Sequence, residues 1–253
     1  MDDPPLASLS LTHVHYNPYD RVSYVCAWLA LVPQALCVTY ATLIWSTREA
    51  EILLMFAGQM GCEAFNWLLK RWIKEERPKL LLQVEITELM DLPLPEMNGK
   101  GYGMPSSHAQ FLAFFSIYLS LFLLFRHNPT SSPDHSHNHP ITLTHRILIS
   151  LGSLAAAAGV AGSRIYLNYH TPRQVLVGCA AGVVTAVGWF IVTEIARRQG
   201  WLHWAMEHPW VRWARVRDLV VSEDLVDAGW ARWEGRKGKR SLSNGIANGK
   251  KSR

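Results

Sequence analysis

No segment of this chain alternates apolar and polar residues with a period of two, which argues against a transmembrane barrel. Cysteine is scarce. Cys26, Cys37, Cys62 and Cys179 all fall in apolar runs and lack metal-ligand spacing. Neither a disulfide framework nor a cysteine metal centre is expected, and packing is their reading. The first 21 residues are polar, with Asp2, Asp3, Pro4, Pro5 and Asp20. No basic start precedes a short apolar core there, so they do not read as a secretory signal. No internal repeat is present.

Long apolar runs are what the chain does have. Its 253 residues suffice for one or two soluble domains or one compact membrane domain. A mean hydropathy of +0.03 averages two unlike populations, apolar runs and charged tails. Val22–Trp45, Ala50–Leu69, Ala109–Phe125, Ile147–Gly162 and Val175–Ala196 each approach the ~20 residues that span a bilayer as helix. Helices satisfy their own backbone in lipid. The fold class expected is all-α, a polytopic membrane bundle of about five transmembrane helices. Val22–Trp45 would serve as an uncleaved anchor. Ala155, Gly159 and Ser163 repeat at four, as do Gly178 and Gly182, which predicts close packing of the last two spans.

The net charge of +5 is unevenly placed. Arginine and lysine crowd the chain from Arg197 onward, interleaved with Trp201, Trp204, Trp210, Trp213, Trp230 and Trp233. Following a membrane span, this reads as an interfacial segment on an anionic leaflet rather than a nucleic-acid patch. The domain reading is therefore a polar tail 1–21, a membrane domain 22–197, a Trp/Arg-rich interfacial segment 198–238 and a disordered basic tail 239–253. Five spans put residues 1–21, the loop 71–107 and the loop 165–173 on one side. Positive charge marks the cytosolic side. The tail carries most of it, so those three segments are expected to face a lumen.

Which groups converge there? Lys70 and Arg77 are seven apart and share a face if the second helix runs on to Arg77, with Pro78 ending it. Glu63 and Asn66 lie on that face, and Glu63 would position Lys70. "GMPSSHAQF" (103–111) places Ser106 and Ser107 at a helix start, where free backbone N–H groups take a cap or bind phosphate. A cap does not account for His108. "SRIYLNYHTPRQ" (163–174) adds Arg164 at the end of the fourth span and His170 before the fifth. Cations, a serine and two imidazoles on one side of one membrane suit oxyanion binding with a nucleophile and an acid. Phosphoryl transfer is the natural chemistry.

Lys70-x6-Arg77-Pro78, then Pro105-Ser106-Ser107-His108, then Ser163-Arg164-x5-His170 resembles the three-part signature of the type 2 phosphatidic acid phosphatase (PAP2) superfamily, whose members include soluble haloperoxidases. The resemblance covers about residues 60–180. It implies a membrane phosphatase that needs no metal or other cofactor. His170 would form a phosphohistidine and His108 would protonate the leaving oxygen. Lys70, Arg77, Ser106, Ser107 and Arg164 would hold the phosphoryl oxygens. Two positions depart from the family pattern, Ser107 where glycine is usual and Gln174 where aspartate is usual. With "YHTPRQVLVG" (169–178) they are similar to the dolichyl diphosphatases of the endoplasmic reticulum membrane, which recycle the lipid carrier of N-glycosylation by cleaving dolichyl diphosphate. Gln174 would accept the Nδ1 proton of His170. Lys250-Lys251-Ser252-Arg253 resembles a dilysine signal read by coat-protein retrieval machinery. A broader lipid phosphatase and a catalytically dead scaffold remain open. No nucleic-acid partner is expected.

Two further segments lie between spans. The loop 126–146 carries His127, His135, His137, His139 and His145 and reads as a solvated, mobile connection on the side away from the site. Leu80–Met97 has apolar stretches broken by Glu85, Glu88 and Asp91 and reads as an interfacial cover over the site.

Overall fold

In the computed structural model of the protein, residues 7–9, 14–78, 101–127, 142–226, 229–230 and 232–237 are described. The cover expected at Leu80–Met97, His135, His137, His139, Lys250, Lys251 and the tail 239–253 lie outside them.

Among the described residues, five helical stretches are long and apolar enough to cross a membrane. The first span, Arg21–Thr47, is two helices, α1 (Arg21–Leu29) and α2 (Val32–Thr47). It breaks where Pro33, lacking an N–H, enters the second position of α2. Then follow α3 (Ala50–Ile73), α4 (Ser107–Leu121), α5 (Leu143–Tyr166) and α6 (Pro172–Arg198). Four of the five spans run past their apolar runs at both ends, and α3, which starts with its run at Ala50, does so at its C-terminal end. A π-helical turn, Phe122–Arg126, extends α4. Short helices α7 (Trp201–Glu207) and α8 (Pro209–Trp213) follow, with Trp201, Trp204, Trp210 and Trp213 exposed.

Helix α4 is the centre of the bundle. Half of its apolar window is buried, against 22–28% for the other four spans. Phe114 and Tyr118 stack at 5.8 Å in a core with Tyr40, Met55, Cys62 and Ala186. Polar side chains tie α3 to α4: Asn66 donates to Gln110 Oε1 (2.7 Å), and Gln110 Nε2 donates to the Cys62 carbonyl (3.0 Å). Interhelical bonds of this kind contribute about 0.6 kcal/mol each in membranes.

The small residues meet a different partner from the one their spacing suggests. A Cβ on Gly182 would lie 2.4 Å from the Gln110 carbonyl, and one on Gly178 would lie 2.6 Å from the Ser106 carbonyl. The glycine face of α6 therefore packs on α4. A Cβ on Gly159 would meet nothing within 4 Å. A spacing of four says that a helix can approach closely, not which neighbour takes the groove.

The N-terminal segment is more than a polar tail. β1 (Ala7–Leu9) pairs antiparallel with β2 (Val14–Tyr16). Val14 is buried against Ala27, Ala30 and Tyr169. Its neighbour His15 donates its backbone N–H to the Tyr169 hydroxyl at 2.9 Å. His127, expected in a solvated loop, is buried as well, its Nδ1 donating to the Val220 carbonyl at 2.6 Å.

A charged cluster closes the end of the bundle where α3 begins and α4 and α6 finish. Glu51, in the first turn of α3, accepts from Tyr118 (3.0 Å), Arg126 (2.6 Å) and Arg197 (2.5 Å). Arg126 also donates to Thr193 Oγ1 (3.0 Å), and Arg197 pairs with Asp218. Nearby, Glu49 accepts from the backbone N–H groups of Leu219 and Val220. The chain after α8 is thereby fastened to the α2–α3 corner.

Candidate active site

The site residues collect at the opposite end of the bundle. Helix α3 stops at Ile73, with Lys74 in the left-handed conformation (φ 55°). It does not reach Arg77, so Lys70 and Arg77 do not share a helix face as the spacing suggested. The physical reason lies on both sides of the break. Arg77 precedes Pro78, which disfavours the helical conformation. The released segment also spends its backbone elsewhere: the Glu75 carbonyl accepts from Gly103 N–H (2.7 Å) and the Glu76 carbonyl from Gln174 Nε2 (2.9 Å). Glu63 makes no hydrogen bond or ion pair with Lys70 among the described residues, and its Oε1 is buried without a hydrogen-bond partner. Two helical turns separate them, about 10 Å of axial rise.

Ser106 occupies the N-cap position of α4 but makes no side-chain capping bond. Its buried Oγ has no protein partner among the described residues. The capping alternative for Ser106 therefore falls, and its hydroxyl is available to a ligand. Ser107 is the first helical residue. His108 follows, with its Nε2 3.1 Å from the Ala30 carbonyl. A carbonyl can only accept, so Nε2 carries the proton and Nδ1 is left to take or give another.

Arg164 lies buried in the last turn of α5, with Nε and Nη1 unpartnered among the described residues and its guanidinium 4.4 Å over the Tyr169 ring. Tyr169 is in turn held by the backbone of β2. Adjacent to it, His170 is 3% exposed. The His170 Nδ1 lies 2.8 Å from the Gly103 carbonyl and 3.3 Å from Gln174 Oε1. Both are acceptors, so the proton is on Nδ1 and the Nε2 lone pair is free. The expected Gln174 contact is present, but the shorter bond goes to a backbone carbonyl. Burial, then Arg77, Arg164 and Lys70, depress the His170 pKa to about 3, keeping the ring neutral and nucleophilic. Burial also lowers the Arg77 pKa. Arg164, Lys70 and Arg77 all lie within electrostatic reach of His108 too.

Helix α6 is started by a capping box in which Thr171 and Gln174 bond reciprocally. That box fixes the first turn behind His170, and the Gln174 carbonyl accepts from Ser106 N–H at 3.2 Å. Three chain segments thus meet at Gln174. Glu75, Gly103 and Tyr169 were not singled out from the sequence. The only available sign was their position next to residues that were.

A neutral imidazole with a free Nε2, a second imidazole with a free Nδ1, an unpartnered serine hydroxyl and three cations can bind a tetrahedral oxyanion and transfer it. The PAP2 superfamily model matches residues 48–198. A Neurospora crassa protein provisionally named a dolichyldiphosphatase is 50% identical, the match covering 91% of this chain and 92% of that one. Proteins named dolichyldiphosphatase 1 from Rhinolophus ferrumequinum and Callithrix jacchus are 39% and 40% identical, covering 74% of this chain and 71% of each.

Proposed function

The chain belongs to the PAP2 superfamily, and from that membership we propose that it is an integral membrane phosphatase that cleaves dolichyl diphosphate to dolichyl monophosphate and phosphate. The observation that carries the reaction is His170, its Nδ1–H held by Gly103 and its Nε2 free among Lys70, Arg77 and Arg164. The substrate is supported by the relatives, half or two fifths identical, that carry the dolichyldiphosphatase name.

In the proposed cycle His170 Nε2 attacks the terminal phosphorus. The bond to the bridging oxygen breaks and dolichyl monophosphate leaves, taking a proton from Nδ1 of His108, which enters this step doubly protonated, keeps its Nε2–H on the Ala30 carbonyl and leaves the step neutral. Water, deprotonated by His108, then attacks the phosphohistidine and releases phosphate. Lys70, Arg77, Arg164 and Ser106 hold the non-bridging oxygens as charge shifts between them. These cations supply the positive charge that a metal would otherwise bring.

The proposed location is the endoplasmic reticulum membrane, with the site facing the lumen and the Trp/Arg-rich segment 198–238 on the cytosolic face. Exposed Trp201, Trp204, Trp210 and Trp213 beside Arg212, Arg215 and Arg217 support an interfacial position.

The test is an assay of the purified protein on dolichyl diphosphate, dolichyl monophosphate and phosphatidate. The diphosphate is expected to have a kcat/KM at least about tenfold above the other two, unchanged by chelator. Equal or faster phosphatidate hydrolysis would make it a broad lipid phosphatase. For the orientation, a tag after Arg253 should be reachable by antibody in cells whose plasma membrane alone is permeabilised. A protected tag would turn the molecule over.

A further inference from the structure

Resting on this phosphatase reading, we propose that Glu75 is a positioning residue whose carboxylate acts on the nucleophile His170 through the side-chain amide of Gln174. The chain of contacts is short and complete. His170 Nδ1–H lies 3.3 Å from Gln174 Oε1, and Gln174 Nε2–H donates to Glu75 Oε1 at 2.9 Å. The direction of the amide is fixed by the backbone around it. Thr171 N–H can only donate, and it meets Oε1 at 3.2 Å. The Glu76 carbonyl can only accept, and it meets Nε2 at 2.9 Å. Both lone pairs and both hydrogens of the amide are then used, so it cannot turn over without losing four bonds.

The other acceptor of the His170 proton leads back to the same residue. The Gly103 carbonyl takes Nδ1–H at 2.8 Å, and Gly103 N–H donates to the Glu75 carbonyl at 2.7 Å. A Cβ on residue 103 would lie 2.8 Å from Gln174 Nε2, so this peptide is pressed onto the amide. Glu75 therefore stands behind both hydrogen bonds that orient the ring, through its side chain in one and its backbone in the other.

The chemistry gives the carboxylate a task. As His170 Nε2 bonds to phosphorus, the ring gains positive charge in surroundings that already hold Lys70, Arg77 and Arg164. A carboxylate behind the amide polarises it, making Oε1 a stronger acceptor for Nδ1–H as that charge develops. The amide keeps the negative charge one group further from the ring than a directly bonded aspartate would. Such weaker support suits a diphosphate, whose leaving group is a phosphate monoester and not an alkoxide.

The experiment relocates the charge in the full-length purified protein, with dolichyl diphosphate as substrate. Glu75→Gln keeps an acceptor for Gln174 but removes the charge. Its kcat is expected to fall roughly tenfold, as for one charge acting at short range through a protein-like dielectric, with KM within about twofold. Glu75→Gln combined with Gln174→Asp puts the carboxylate directly on His170, and kcat should return to within about threefold of the original. Gln174→Asp alone sets two carboxylates against each other and should fall below the double variant. A Glu75→Gln protein with full kcat overturns the inference, as does a double variant no faster than Glu75→Gln. Should Glu75→Gln not fold, Glu75→Ser is assayed with added formate, and a kcat that formate does not raise overturns it equally. Two controls run alongside: an unsubstituted protein inactive on dolichyl diphosphate would sink the phosphatase reading itself, a His170→Ala protein that keeps its activity would show that His170 is not the nucleophile, and the inference falls with either.

Discussion

His170→Ala is expected to lose at least about 10⁴-fold in kcat on dolichyl diphosphate, the scale seen when a nucleophile is removed from an assembled site. The loss should be that large because the other imidazole lone pair, on His108 Nδ1, is the one proposed to exchange the proton of the leaving group and of water. His108 has its Nε2 committed to the Ala30 carbonyl and is the proposed acid. The serine hydroxyl of Ser106 has no base bonded to it among the described residues. The cations can still bind the diphosphate, so KM should change far less than kcat. A second readout is independent of turnover. Enzyme mixed with substrate labelled in the terminal phosphate and quenched in base should carry label on protein, because phosphohistidine survives alkali, and His170→Ala should carry none. Label that persists in the variant would sink the assignment.

The second large effect lies at the other end of the molecule and concerns stability. Glu51→Ala should destabilise the bundle by about 3–5 kcal/mol, because it leaves buried arginines without their shared counter-charge. Glu51 is 3% exposed and accepts from Tyr118, Arg126 and Arg197 at once. Arg197 keeps Asp218, but Arg126 is left with Glu194 at 3.4 Å and neutral acceptors. Removing both members of a buried pair costs less than removing one. Glu51→Leu with Arg126→Met should therefore recover much of what Glu51→Ala loses. Thermal unfolding in detergent, followed by the folded fraction, measures both. Activity per folded molecule should stay unchanged, since the cluster is a helix length away from His170. A loss below 1 kcal/mol in Glu51→Ala would show that the arginines find other partners.

The amino-acid sequence by itself determined the spans and the end at which the chemistry collects. Lipid demands long apolar helices, and that demand is local, so five runs are visible without knowing any contact. Helix parity then puts Lys70, Arg77, Ser106, His108, Arg164 and His170 at one end, and the spacing of those residues carries the family resemblance. What the tertiary structure alone decided is how those residues are held. The Nδ1 proton of His170 goes to a carbonyl 67 residues away, and Gln174 reaches a carboxylate 99 residues away. Glu51 and Arg197 meet across 146 residues. Gly178 and Gly182 seat α4 and not α5, and Lys74 turns out of the helix to hand Glu75 and Glu76 to the site. Hydropathy and spacing are properties of one segment. A hydrogen bond between segments depends on which faces pack, and that is settled by the whole bundle, where most buried donors find an acceptor on whichever helix lies beside them and the site keeps a few for a ligand.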